Sequence, residues 1–132
     1  MYEFHGWITI RESFNNDDDW DSNIEELIEK VKEKLEKSEL GNGLTDIRSV
    51  NGSEFVVMSG FYNHGNGVTD KLLDFYKFVS EAAVGSYGLL YVHDDEDENG
   101  EDNEFQVFVL AKGKLEKKKD AYLSPFIPVV EE

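Results

Sequence analysis

The residues best able to do chemistry are the carboxylates between residues 94 and 104, a segment called here the acidic loop. Eight of its eleven residues are acidic, and none is Lys or Arg. The acidic members are Asp94, Asp95, Glu96, Asp97, Glu98, Glu101, Asp102 and Glu104. Because unpaired ionised groups are very costly to bury, this segment cannot belong to a core. It must stand in water, or it must meet a cation or a basic partner.

The acidic loop contains part of a calcium-binding motif. Asp95, Asp97 and the pair Asn99-Gly100 match the first six positions of an EF-hand loop. The bidentate Glu expected at position twelve is replaced by Gln106, and the flanking segments resemble strands rather than helices. An acid-rich turn produces such a match by chance, and Asn-Gly is typical of turns. A calcium-responsive or other acidic binding module is therefore kept as the alternative function, and no metal ligand is assigned.

The rest of the sequence lacks a recognisable catalytic pattern. The histidines His5, His64 and His93 have no HxH or HExxH spacing. Gly65-Asn66-Gly67 precedes a predicted helix, but no Gly-Lys-Ser or Gly-Lys-Thr follows it as in a phosphate-binding loop. Cysteine is absent, which excludes disulfides and thiolate chemistry. We predict no catalytic residue and no cofactor; an enzyme with a dispersed carboxylate and histidine site is the least favoured class.

The charge balance restricts the possible partners. The chain has 29 acidic and 13 basic residues, and its net charge is −16. Such a field repels nucleic acid and anionic membranes and attracts basic proteins. The N-terminus lacks a signal-peptide pattern, and no apolar run approaches the roughly 20 residues of a membrane span. We therefore expect a soluble cytoplasmic protein that binds neither nucleic acid nor membrane.

The acidic loop must be positioned by the strands on either side of it. Apolar and alternating patterns predict strands over residues 2–11, 44–50, 53–62, 87–92 and 105–110, with a possible lysine-rich edge strand over 114–122. Apolar stripes at helical spacing predict helices over residues 22–38 and 69–83. Asn51-Gly52 predicts a hairpin with a type I′ turn. Trp7, on the second face of the first strand, suggests that this face is partly covered, and Phe126 and Ile127 are expected to pack.

The order of these elements predicts the architecture. With the possible edge strand it is βαββαββ in one domain over residues 1–132, so we expect an α+β two-layer sandwich. The sheet is expected to be mostly antiparallel with both helices on one face. A ferredoxin-like core is compatible with the first six elements.

A second acidic patch lies between the first strand and the first helix. Asp17, Asp18 and Asp19 are followed directly by Trp20. An exposed Trp beside acidic residues would suit the centre of a protein interface. The alternative is that Trp20 covers the edge of the core between helix and sheet.

The N-terminal string carries a family resemblance. Residues 2–12 read Tyr-Glu-Phe-His-Gly-Trp-Ile-Thr-Ile-Arg-Glu, with Gly6-Trp7 as the most specific pair. This string resembles the opening of the Immunity protein 7 family of bacterial polymorphic toxin systems. The polar connection to an acidic helix and the α+β layout are similar too. The resemblance implies a small cytoplasmic protein that binds a cognate toxin domain and blocks it without catalysis.

The residues and the resemblance lead to the same expectation. An acidic protein without catalytic motifs suits inhibition of a basic enzyme, and nucleases need basic clefts to bind phosphate. We expect the partner to be the C-terminal domain of a cognate toxin, contacted by the acidic loop and by the Asp17–Trp20 patch. Plain solubilising charge on a hairpin tip is an equally favoured explanation of the loop.

Overall fold

A computed structural model describes residues 1–13, 24–40 and 43–132. Within these ranges the strands are β1 Tyr2–Ile10, β2 Leu44–Val50, β3 Ser53–Tyr62, β4 Tyr87–Asp94, β5 Gln106–Ala111 and β6 Lys114–Lys119. The helices are α1 Ile24–Lys37, α2 Val68–Ala82 and the short α3 Phe126–Val129. The predicted helix start at Ser22 lies outside the described residues. No helix in the described ranges has the length and apolar character needed to cross a membrane.

The strands form one antiparallel sheet in the order β2-β3-β1-β4-β5-β6. The connection through α1 joins β1 to β2 across β3, and the connection through α2 joins β3 to β4 across β1. These two interlocked crossovers are the split βαβ arrangement of a ferredoxin-like core. The hairpin of β5 and β6 extends the sheet beyond β4. The predicted α+β class is therefore confirmed, including the predicted lysine-rich edge strand.

The two tightest hairpins use residues in the left-handed backbone region. Asn51 and Gly52 between β2 and β3 have φ values of 52° and 77°. A type I′ turn requires positive φ at both central residues, as predicted from the Asn-Gly pair. Lys112 and Gly113 between β5 and β6 have φ values of 54° and 70° and make the equivalent turn.

The helices cover one face of the sheet and create the core. From β1, this face receives Tyr2, Phe4, Ile8 and Ile10, all of which are buried. The helix α1 buries Leu27, Ile28 and Val31 against it, and α2 buries Leu72, Phe75, Tyr76 and Val79. Burial of each large apolar side chain contributes about 1.5–3 kcal/mol, so packing rather than helix propensity holds the two layers together.

A polar contact between α2 and the sheet crosses the core beside Gly6. The Tyr76 hydroxyl of α2 donates a hydrogen bond of 2.8 Å to the Leu89 carbonyl of β4. It reaches the sheet beside Gly6, where an added Cβ would overlap the hydroxyl and lie 3.2 Å from the Leu89 carbonyl oxygen. Burial raises the pKa of Tyr76 well above its ordinary value, so the phenol remains a neutral donor.

The opposite face, called here the open face, is covered only in part. Residues 120–130 cross it as a segment that we call the C-terminal strap. Phe126 of the strap stacks on His93, with ring centroids 4.3 Å apart. Trp7 on β1 keeps 42% of its surface exposed. The predicted partial covering of this face is therefore present, but the strap leaves much of the Trp7 side chain exposed.

The strap begins at a compact hydrogen-bonding centre formed by Asp120. Its carboxylate accepts bonds from the Tyr122 amide at 3.0 Å, the Leu123 amide at 2.9 Å and the Ser124 hydroxyl at 2.8 Å. Burial acts to raise the pKa of Asp120, but these hydrogen bonds outweigh it and lower the pKa below its ordinary value. Farther along, Ile127 is 56% exposed, so the expectation that it packs is wrong, whereas Phe126 does pack.

We predict that Gly6 and Tyr76 are energetically coupled. Gly6→Ala should lower the free energy of unfolding by about 1–3 kcal/mol through overpacking. Tyr76→Phe should lower it by about 1–3 kcal/mol because the Leu89 carbonyl loses a buried partner. The double variant should lose less than the sum, since the Phe lacks the atom that the new Cβ would strike. Urea unfolding of the four proteins measures this; strict additivity would contradict the coupling.

We also predict that Asp120 stabilises the strap in a pH-dependent way. A carboxyl whose folded-state pKa is lowered stabilises the fold above its unfolded-state pKa and stops doing so as the pH falls through the folded-state value. Asp120→Asn should therefore lower stability at neutral pH, by about 1 kcal/mol. The difference from wild type should shrink in acid. Unfolding curves measured from neutral pH downward test this, and a difference that is constant with pH would contradict it.

Candidate functional site

The acidic loop joins β4 to β5 and is fastened to three separate parts of the chain. The Met1 amino group lies 2.6 Å from Asp95 Oδ1, and this hydrogen bond raises the pKa of the amine. His64 Nδ1 lies 2.6 Å from Glu96 Oε1. Lys117 Nζ lies 2.7 Å from both carboxylate oxygens of Glu101. Such exposed pairs add little stability individually, but together they orient the loop.

Other carboxylates of the loop shape its own backbone. Asp97 Oδ2 accepts the Asn99 amide at 3.0 Å and the Glu101 amide at 2.9 Å. Asp94 Oδ1 accepts the Glu96 amide at 3.0 Å. These are Asx-type turns, in which a short acidic side chain replaces a backbone acceptor. Five of the eight carboxylates therefore hold the loop in place: Asp94, Asp95, Glu96, Asp97 and Glu101.

The remaining three acidic side chains differ in exposure. Glu98 and Asp102 are exposed, and Glu104 is half-buried. No hydrogen bond or ion pair from the described part of the chain engages these three carboxylates. They are therefore the members of the predicted set that are left available to a partner, on a backbone that the other five hold in place.

The loop is also tied to the C-terminal strap. The Asn103 side chain donates to the Ile127 carbonyl at 3.1 Å and accepts the Ile127 amide at 2.8 Å. The Phe126 amide donates to the Asn103 carbonyl at 2.6 Å. The role of Asn103 was not predictable from local sequence, because its partners lie 23 and 24 positions away.

The carboxylates of the partial calcium-binding motif, Asp95 and Asp97, are not directed toward a common site. Asp95 is directed to the Met1 amine, whereas Asp97 accepts backbone amides of its own loop. Among residues 1–13, 24–40 and 43–132, no group of three or more His, Asp or Glu side chains is placed to hold a metal ion. The described geometry thus offers no support to the calcium-binding alternative.

The histidines occupy separate environments. His5 Nε2 lies 2.8 Å from Glu3 Oε2 on the open face, and His64 pairs with the acidic loop. His93 is buried between the rings of Phe105 and Phe126 and lies 3.1 Å from the Asp102 carbonyl through Nε2. They are not brought together as a common site.

The second predicted patch, Asp17, Asp18, Asp19 and Trp20, lies outside the described residues. Its role as a partner surface remains a prediction. The acidic loop is likewise a predicted interface, although its backbone and its available carboxylates are now defined.

The open face contains an apolar groove that was not predicted from the sequence. The groove has a volume of about 730 Å³. Its floor includes Trp7, Val57 and Leu89, and the strap supplies a wall with Leu123, Phe126 and Val130. The available signal was the continuous apolar run Phe55-Val56-Val57-Met58 in β3. Such a run, unlike strict alternation, indicates a strand with apolar side chains on both faces.

Comparison with known families finds one match. The family described as Immunity protein 7 matches residues 1–132. Comparisons with curated proteins and with solved structures give no match. The resemblance noted at Gly6-Trp7 is thereby confirmed, and in general terms the family implies an immunity role with binding of a cognate toxin. The chain belongs to the Immunity protein 7 family.

Proposed function

We propose that this immunity protein neutralises one cognate bacterial toxin domain by tight, non-catalytic binding, and that the acidic loop contacts that domain. The observation that carries the proposal is that the loop carboxylates have two different roles. Five of them fix the loop, and Glu98, Asp102 and Glu104 remain available on it. A loop whose backbone is already held in place loses little backbone conformational entropy when a partner binds.

The charge of the whole chain favours a basic partner. A net charge of −16 creates a long-range field that accelerates encounter with a cationic protein. Nucleases are the toxin class that fits best, because they must bind phosphate groups and therefore carry cationic clefts. Carboxylates on a fixed loop could occupy such a cleft in place of phosphates. Inhibition in the cytoplasm of the producing cell is part of this proposal.

We predict specific protection from the toxin. Cells that express the toxin domain encoded next to this gene should stop growing, and co-expression of this chain should restore growth. An unrelated toxin of the same chemical activity should remain lethal in the presence of this chain. Growth curves and recovery of a purified complex measure the effect. If the neighbouring toxin were lethal with the immunity protein present at high level, the proposed function would fail.

We predict that the available carboxylates set the rate of association. The triple variant Glu98→Gln, Asp102→Asn, Glu104→Gln should slow toxin association by roughly 10-fold at low salt and flatten its salt dependence. Stopped-flow measurements at several ionic strengths give both quantities. Asp97 is left unchanged because it shapes the loop backbone, so its replacement would mix structural and electrostatic effects.

A matched control separates local from global charge. Glu25, Glu36 and Glu81 are exposed on the helical layer, away from the loop. Changing all three to Gln gives the same net charge as the loop variant. We expect a smaller change in association rate for this control. Equal effects would mean that only total charge matters, and the loop would then be a solubility device.

A further inference from the structure

The groove on the open face is built around a contiguous apolar strip. The strand register places Trp7 between Val57 of β3 and Leu89 of β4. Trp7 also meets Tyr87 edge-on, with ring centroids 6.0 Å apart. Trp7 and Val57 are 42% and 51% exposed, respectively. Large apolar side chains that are adjacent and half-exposed on a regular sheet mark an interaction surface.

The strap turns this strip into a concave site. Leu123 and Val130 line the groove while remaining 41% and 49% exposed. Phe126 lies between them in sequence and is fixed against His93 and the Asn103 backbone. The groove therefore has a rigid sheet as its floor and a hydrogen-bonded wall.

Three of the polar side chains that line the groove already have partners. Glu3 and His5 form a pair at 2.8 Å, and the Tyr91 hydroxyl donates to Asp120 at 3.4 Å. A small polar ligand would need several converging groups to orient it. The site is instead suited to apolar side chains presented by a protein.

The charges around the groove identify the kind of protein. Among its described lining residues Glu3 is acidic and none is Lys or Arg. Val130 is followed by exposed Glu131 and Glu132, and lining residue Phe105 follows Glu104 of the acidic loop. Arg48, which the register places on the same face, is paired with Asp46 at 2.6 Å. The register also places Lys114 and Lys118 of the edge strand β6 on this face, where Lys118 is paired with Glu116 at 3.0 Å. The charges next to the groove itself are thus anionic, and a second copy with the same net charge of −16 would be repelled.

We propose that the groove is the anchoring site for the toxin domain: it receives an apolar side chain from a segment of that domain flanked by Lys or Arg. This inference rests on the proposed function and adds a second contact surface beside the acidic loop. Trp7 supplies the central contact, in keeping with the enrichment of Trp at energetic centres of interfaces. The cationic flanks of the segment meet Glu3 and the acidic C-terminus.

The test uses the full chain and the toxin domain encoded next to its gene, purified by unfolding and refolding from the co-expressed complex. Trp7→Thr should weaken the equilibrium affinity by roughly 10- to 30-fold. Tyr122→Thr is the matched control, because Tyr122 is 79% exposed and does not line the groove. It should change affinity less than about 2-fold. Thermal unfolding of each variant establishes that the fold is retained.

Two substitutions of opposite charge at Val57 test whether the bound segment of the partner is cationic. Val57→Lys and Val57→Glu remove the same apolar contact at an exposed strand position. If the bound segment is cationic, the Lys variant should bind several-fold more weakly than the Glu variant, and added salt should reduce the difference. Because Val57 is half-exposed, this comparison remains informative even if Trp7→Thr fails to fold.

The outcomes separate the two proposals. Suppose that the wild-type chain binds the toxin domain and that Trp7→Thr and both Val57 variants bind it with the same affinity. This result would overturn the groove as the anchoring site and leave the proposed function standing. Equal weakening by Val57→Lys and Val57→Glu would overturn the cationic character of the segment. Absence of wild-type binding to the neighbouring toxin would overturn both proposals.

Discussion

The structure depends on the hydroxyl of Tyr76 reaching the backbone of the sheet. That reach is possible because Gly6 has no side chain on the central strand. The contact fixes the depth at which α2 lies on the sheet, and the apolar residues of α1 and α2 then fill the space around it. A buried phenol must keep a hydrogen-bond partner, so the helical layer cannot slide or rotate without losing the Leu89 carbonyl.

Because the helices cover one face of the sheet, the open face and the acidic loop at its end remain accessible to other molecules. The open face is neither bare nor fully covered, because the strap crosses only one side of it. The strap and the acidic loop hold each other through Asn103. This arrangement places an apolar groove beside carboxylates that stand on a fixed loop backbone. Protein interfaces commonly combine an apolar centre with a polar rim in this way.

Much of the fold was predictable because its signals are local. The Asn51-Gly52 turn, the alternation in β1 and the apolar stripes of the helices each depend on neighbouring residues, and each was located to within a few positions. The acidic loop was also evident, since eight carboxylates cannot be buried. The roles within the loop could not be predicted: whether a carboxylate accepts a nearby amide or pairs with His64 or Lys117 is decided by distant chain segments. The groove was missed for the same reason, because its wall comes from the strap and its floor from strands far away in sequence.

The bond network at Asn103 has a thermodynamic consequence. One residue of the loop, Asn103, forms hydrogen bonds with three backbone groups of the strap, so the two surfaces share a support. A molecule that tightens the loop therefore restricts the strap, and one that fills the groove restricts the loop. The free energies of occupying the two surfaces should then depend on one another, and changes made at both should not sum. The recognition surface would behave as one cooperative unit rather than as two adjoining contacts.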